Sequence, residues 1–137
     1  YAMLRSLVGS EMCIRDRNGN AVDAAVAAAF ALSVVEPSMS GIGGRAQILI
    51  YSPKTGFHGI DATTAAPSDY DYENAPKKRY GYPSIGIPGV VKGLTKALAD
   101  HGSLKREVIM APAIKIASKK GIISKLAIKH FGFDASM

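Results

Sequence analysis

Polar residues are scarce between Ala21 and Val35, where only Asp23 and Ser33 interrupt an Ala-rich apolar run. An apolar surface on nearly every face predicts a helix buried on most sides. Asn20 stands just ahead of it with a side-chain oxygen suited to accept an N–H from the first turn, and Asp23 lies in that turn, where the helix dipole favours a negative charge. Pro37 sets the end near Val35 or Glu36, since a residue before proline avoids the helical region. The pattern then changes period. Ile48 to Tyr51 reads as a buried strand, Pro53 to Gly56 as a turn, and the stretch around His58 to Asp61 as a short second strand, which together predict an antiparallel hairpin. From Thr63 to Pro76 any apolar period is broken by Pro67, Asp69, Asp71, Asn74 and Pro76, so this stretch reads as loop.

Helical spacing returns through Val91, Leu94 and Leu98, predicting a helix over Val90 to Ala99 that ends at His101-Gly102. Ser103 is the expected cap of a further helix that begins near Leu104 to Arg106 and runs through Ile109 toward Ile116, with Pro112 kinking or restarting it. Ile122 to His130 predicts one more short helix. Helices around a hairpin indicate an α+β or layered αββα architecture, because a parallel sheet would need a crossover between the two strands.

Composition agrees with one folded domain, since 47% of the 137 residues are hydrophobic, more than a disordered chain carries. The longest apolar block, Ala24 to Leu32, is too short to span a membrane. A net charge of +6 raises the question of nucleic acid. However, Lys115, Lys119, Lys120, Lys125 and Lys129 space as the outer face of helices whose inner face carries Ile114, Ala117, Ile122, Leu126 and Ala127. No aromatics interleave with them, so a solvated face is the expectation and a nucleic-acid partner is not. The single cysteine, Cys13, excludes an internal disulfide and leaves the compartment open.

Tyr1 to Arg17 has no helical or strand period and gives way abruptly to patterned sequence at Asn18. Within it, Leu7-Val8-Gly9-Ser10-Glu11-Met12-Cys13-Ile14-Arg15-Asp16-Arg17 resembles the translation of a transposon-type sequencing adaptor. The expectation is a non-native segment over 1–17, with the native domain occupying 18–137 and the native N-terminus and any export signal lost.

Ser40-Gly41-Ile42-Gly43-Gly44 has closely spaced glycines that could cradle a phosphate, but here they follow a helix and open a strand, the reverse of a dinucleotide fingerprint. A tight helix-to-strand reversal using positive φ is the expectation. With its flanks the segment is more specific. Gly19-Asn20-Ala21-Val22-Asp23-Ala24-Ala25-Val26-Ala27, Val35-Glu36-Pro37, the glycine run, Ile87-Pro88-Gly89-Val90-Val91 with Gly93-Leu94, and His101-Gly102 with Leu104, Pro112-Ala113-Ile114 and Ala117 occur in the order seen in gamma-glutamyltransferases. The chain from Asn18 to about Ile128 resembles the start of that family's large subunit.

The resemblance implies an N-terminal nucleophile hydrolase with an αββα sandwich, here as an N-terminal fragment. Such a precursor cuts itself into two subunits, and the new N-terminal Thr of the small subunit attacks the amide carbonyl with its own amine as base. The gamma-glutamyl group then passes to water or to an amino acid or peptide. No catalytic residue is expected before Met137, so the implied partners are the small subunit, the rest of the large subunit and a small amide substrate. No cofactor or metal is implied. A periplasmic or extracellular location fits the resemblance, with a cytoplasmic one left open.

One family site falls inside the chain, and the sequence departs from it. In the family, the members that act on gamma-glutamyl compounds typically carry Arg-Glu ahead of a short Thr-Ala-Pro motif after the second strand, and that Arg grips the substrate α-carboxylate. Ile60-Asp61-Ala62-Thr63-Thr64-Ala65-Ala66-Pro67 puts Thr63 at the Arg position and Thr64 at the Glu position. A hydroxyl cannot replace a bidentate guanidinium. Arg45, where the family's glycine run usually continues, is a candidate to supply that charge from a neighbouring loop. The competing reading makes it a surface or ion-paired residue at the strand edge. A paralogous acylase with another acyl group, or a non-catalytic protein on the same scaffold, are the alternative functions. His58, His101 and His130 lack metal-ligand spacing, Asp69, Asp71 and Glu73 lack the glycine and terminal Glu of an EF-hand, and Ser40 lacks a nucleophile-elbow context. In isolation, the hairpin and glycine loop are expected to be partly uncovered.

Overall fold

The computed structural model describes residue 14, residues 16–74 and residues 81–118. The elements are α1 (Ala21–Val35), α2 (Pro37–Ser40), β1 (Ala46–Ser52), β2 (Gly56–Ala62), a short 3-10 helix (Tyr82–Ser84), α3 (Val90–His101) and α4 (Arg106–Ala117). The expected helix at Ile122 to His130, Lys119 and the later lysines, Cys13 and most of the 1–17 segment lie outside the described residues.

α1 begins as its sequence predicts. The Asn20 side chain accepts from the Asp23 amide at 3.0 Å, and Asp23 accepts in return from the Asn20 amide at 2.9 Å, closing a capping box. Pro37 ends α1 and at the same time opens α2, where its missing N–H is harmless at the first helical position.

β1 and β2 form the expected antiparallel hairpin, in register from Ala46↔Ala62 to Ser52↔Gly56. Gly56 has φ of 78°, a left-handed turn conformation that side chains disfavour. One hairpin face is covered: Ile48, Ile50 and Ile60 pack toward a core that contains Val26, Phe30, Leu94, Leu98 and Ile109. Gly93 lets α3 lie close on this face, since a Cβ there would stand 2.3 Å from the Ala62 Cβ. The other face is bare, with Leu49 73% and Phe57 72% exposed. This matches the expected uncovering of the hairpin.

Four expectations need correction. Ser103 does not cap α4: the residue before that helix is Lys105, which makes no side-chain cap bond, while the Ser103 hydroxyl is given to Asp23. The glycine run has no positive φ among its members. Its need for glycine at Gly41 is instead steric, because a Cβ would sit 2.5 Å from the Pro37 carbonyl oxygen. Pro112 lies inside one continuous α4, so of the two expected effects it does not restart the helix. Ile114 is 58% exposed and Ala117 is exposed, so neither belongs to an inner face among the described residues.

Asp23 joins the two halves of the fold. It is fully buried, yet it accepts from the Ser103 amide at 3.1 Å, the Ser103 hydroxyl at 2.5 Å and the Leu104 amide at 3.3 Å. Burial alone would push its carboxyl up, but the Ser103 hydroxyl and the Asn20, Leu104 and Ser103 amides outweigh it and hold the group below the usual carboxylate range. Ile14 also reaches the core with no exposure, beneath the turn at Gly19. Among the described residues no helix is long and apolar enough to cross a membrane.

Candidate functional site

The open end of the hairpin gathers the residues singled out from the sequence. Ala46↔Ala62 is its last pair, so Arg45 and Thr63 are the next residues outward on the two strands. Both are exposed, as is Thr64. The Thr63 amide donates to Asp61 Oδ1 at 3.0 Å, so the chain turns away from the sheet immediately after β2.

The segment from Gly86 to Val90 holds this end together. Ala65 and Ile87 exchange backbone hydrogen bonds at 3.1 and 2.7 Å. The Gly44 carbonyl accepts from the Gly89 and Val90 amides, both at 3.3 Å, which ties the glycine loop to the start of α3. Gly89 is pressed against the other strand, for a Cβ there would meet the Ala62 and Thr63 carbonyl oxygens, both at 2.4 Å. The Ile87-Pro88-Gly89 motif therefore packs against the end of the hairpin where strand register has already placed Arg45 and Thr63. Its glycine was visible in the sequence, but its contact was not, because the partner lies in a different part of the chain.

Arg45 also borders a recess of about 200 Å³ between the end of α1, the glycine loop and the start of α3, lined mainly by apolar residues such as Phe30, Met39, Val91 and Leu94. Two further polar residues stand at the same end of the hairpin. Gln47 and Asp61 are a cross-strand pair, and both are exposed on the bare face. They were not singled out from the sequence, although the alternation of exposed and covered positions along both strands carries the signal.

The remaining candidates behave differently. His58 and His101, distant in sequence, meet with tilted rings whose centroids are 4.7 Å apart, and His58 Nε2 lies 2.7 Å from the Thr55 hydroxyl. No third donor joins them: among the described residues no three His, Cys, Asp or Glu side chains could hold a metal together. Asp71 binds its own loop, accepting from the Asn74 side chain and from the Asn74 and Glu73 amides, and these bonds hold its carboxyl below the usual range.

Comparison with known proteins identifies the fold's relatives. The family model described as Gamma-glutamyltranspeptidase matches residues 6–127, a span that starts ahead of Asn18. Glutathione hydrolase 2 of Arabidopsis thaliana is 40% identical over 113 residues, covering 80% of this chain and 20% of its own length. The chain thus spans about a fifth of that curated relative. Gamma-glutamyltranspeptidase from Pseudomonas nitroreducens, solved with L-DON, superposes with a TM-score of 0.81 at 27% identity, over 93% of this chain and 41% of that one. Cephalosporin acylase from Bacillus halodurans superposes with a TM-score of 0.74 at 30% identity, over 81% of this chain and 22% of that one. Over the matched region the helices and hairpin are those of an α+β, N-terminal nucleophile hydrolase fold, and the chain belongs to the gamma-glutamyltranspeptidase family.

Proposed function

We propose that the chain is the first part of the large subunit of an enzyme that cleaves gamma-glutamyl amides and passes the acyl group to water or to an amino acid or peptide. The observation that carries this reading is the bare outer face of the hairpin, with Leu49 and Phe57 exposed, in a chain that spans a fifth of a glutathione hydrolase. Apolar side chains in that number on one sheet face call for a covering layer. In this reading the missing chain supplies that layer together with the nucleophilic Thr, and the first part alone is inactive.

Arg45 binds the substrate carboxylate in place of the residue that Thr63 replaces. Its support is positional, since Arg45 and Thr63 flank the same terminal pair of the hairpin. The native domain begins at Asn18. That boundary rests on the adaptor-like run Leu7 to Arg17, and the burial of Ile14 and the start of the family match at residue 6 weigh against it. Reading the genomic DNA upstream of Asn18 decides it, because native codons for Leu7 to Arg17 would remove the proposed boundary.

A second reading is favoured by Thr63 and Thr64 and by the similarity to a cephalosporin acylase: the enzyme takes an acyl group other than gamma-glutamyl. Assaying the full-length enzyme with gamma-glutamyl and simple acyl anilides separates the two. Turnover of the gamma-glutamyl anilide alone supports the first reading, and turnover of the simple acyl anilides alone supports the second.

A further inference from the structure

A second meeting of polar side chains lies toward the turn of the hairpin, at the opposite end from Arg45 and Thr63. His58 stands across from Ile50, close to the Ser52↔Gly56 end of the ladder, and is half-buried on the face that packs toward the core. His101 is the last residue of α3 and is also half-buried. Their ring centroids are 4.7 Å apart, with the planes at 49° to one another.

That separation fits two imidazoles on one shared ion. A ligating ring nitrogen lies about 2.0–2.1 Å from a late first-row divalent ion, so at ligand angles of about 90–109° two ring centroids stand about 4.5–5.2 Å apart. The last torsion of histidine is broad, and the rings can turn their nitrogens without backbone movement. Both backbones are fixed in advance. His58 sits in the strand ladder, the His101 carbonyl accepts from the Asn20 side chain at 2.7 Å, and the Gly102 amide closes the end of α3 on the Leu98 carbonyl at 2.9 Å. Thr55 supplies the remaining feature. A metal-bound histidine gives its other ring N–H to an oxygen, which fixes the tautomer, and the Thr55 hydroxyl lies 2.7 Å from His58 Nε2.

We propose that His58 and His101 form a two-histidine site for a late first-row divalent metal ion of the zinc type, with Nε2–H of His58 donating to Thr55 and Nδ1 binding the ion. The ion ties the hairpin to the end of α3. Among the described residues no three His, Cys, Asp or Glu side chains could hold a metal, so water completes the shell and the ion is an exchangeable clip, not a closed structural centre. Imidazole ligands select Zn2+, Ni2+ or Cu2+ over Mg2+ and Ca2+, which take oxygen. The site stands apart from the proposed gamma-glutamyl chemistry and does not depend on it.

The test is equilibrium dialysis of the full-length enzyme against Zn2+, after purification without a histidine tag and stripping with chelator. The native enzyme should bind one equivalent of zinc, with a Kd of about 1–100 µM, that His58→Gln and His101→Gln each lose. Thr55→Ala, at an exposed turn position, should weaken the same equivalent about tenfold, and it keeps the test open if a histidine variant fails to fold. Mg2+ in about hundredfold excess should not displace the zinc. Native enzyme that binds no zinc below about 1 mM would overturn the proposal, as would a histidine variant with native stoichiometry and affinity. Native affinity in Thr55→Ala, or displacement by Mg2+, would also overturn it, the latter by assigning the ion to oxygen ligands.

Discussion

Asp23 and Ser103 lie 80 positions apart in the chain, yet the Ser103 hydroxyl and amide both donate to the Asp23 carboxylate. One buried carboxylate therefore serves the first turn of α1 and the turn between α3 and α4 at once. Gly102 is part of the arrangement, because a Cβ there would stand 2.8 Å from Asp23 Oδ1.

Replacing Asp23 by Ala should destabilise the fold by about 2–3 kcal/mol, since several hydrogen bonds to one charged acceptor are lost together. Ser103→Ala removes the hydroxyl but keeps the amide, so about 1 kcal/mol is expected. Urea denaturation of both variants measures the two losses, and equal values would show that the hydroxyl carries the whole contact.

The same carboxylate gives a pH dependence with a definite sign. Its folded value is depressed, so its contribution is fully present above the unfolded value of about 3.9 and is lost as pH falls through the folded value. Stability should decline in that acid range, and Asp23→Asn should flatten the decline while lowering stability at neutral pH. Denaturation midpoints between pH 2 and 7 test this. A variant with the same acid slope as the native chain would assign the slope to other carboxylates.

Gly93 and Ala62 define how closely α3 approaches the hairpin. Gly93→Ala should destabilise by about 1–3 kcal/mol through overpacking, and adding Ala62→Gly should recover part of the loss. A double variant no better than the single one would mean that the clash is relieved elsewhere.

The bare sheet face predicts opposite results in two settings. In the isolated chain, Leu49→Ser and Phe57→Ser should change stability by less than about 0.5 kcal/mol, as at other exposed sites. In the full-length enzyme of the proposed function the same changes should destabilise by about 1.5–3 kcal/mol, because there a further layer is proposed to cover that face. Thermal unfolding of both forms reads the difference.

Much of this structure was legible locally. The helix from Ala21 to Val35, its Asn20 cap and the hairpin turn at Gly56 follow from patterns a few residues long, where neighbours in sequence are neighbours in space. The errors arose where distant residues compete for the same group. Ser103 reads as a cap in sequence, but Asp23 offers it a buried charge that outcompetes its own helix. Gly41 reads as a positive-φ position, and only the fold reveals the Pro37 carbonyl that crowds it. At the site, Thr63 stands out by departing from the family pattern. Its nearness to Arg45 and Asp61 is set by strand register, which local pattern does not reveal.

The central claim is that Arg45 supplies the carboxylate grip that Thr63 cannot. The most direct measurement is KM for a gamma-glutamyl anilide in the full-length enzyme carrying Arg45→Ala. A rise of about tenfold or more is expected, as for loss of a charge-assisted contact of roughly 1.5 kcal/mol. An unchanged KM would contradict the claim and leave Arg45 a surface residue at the strand edge.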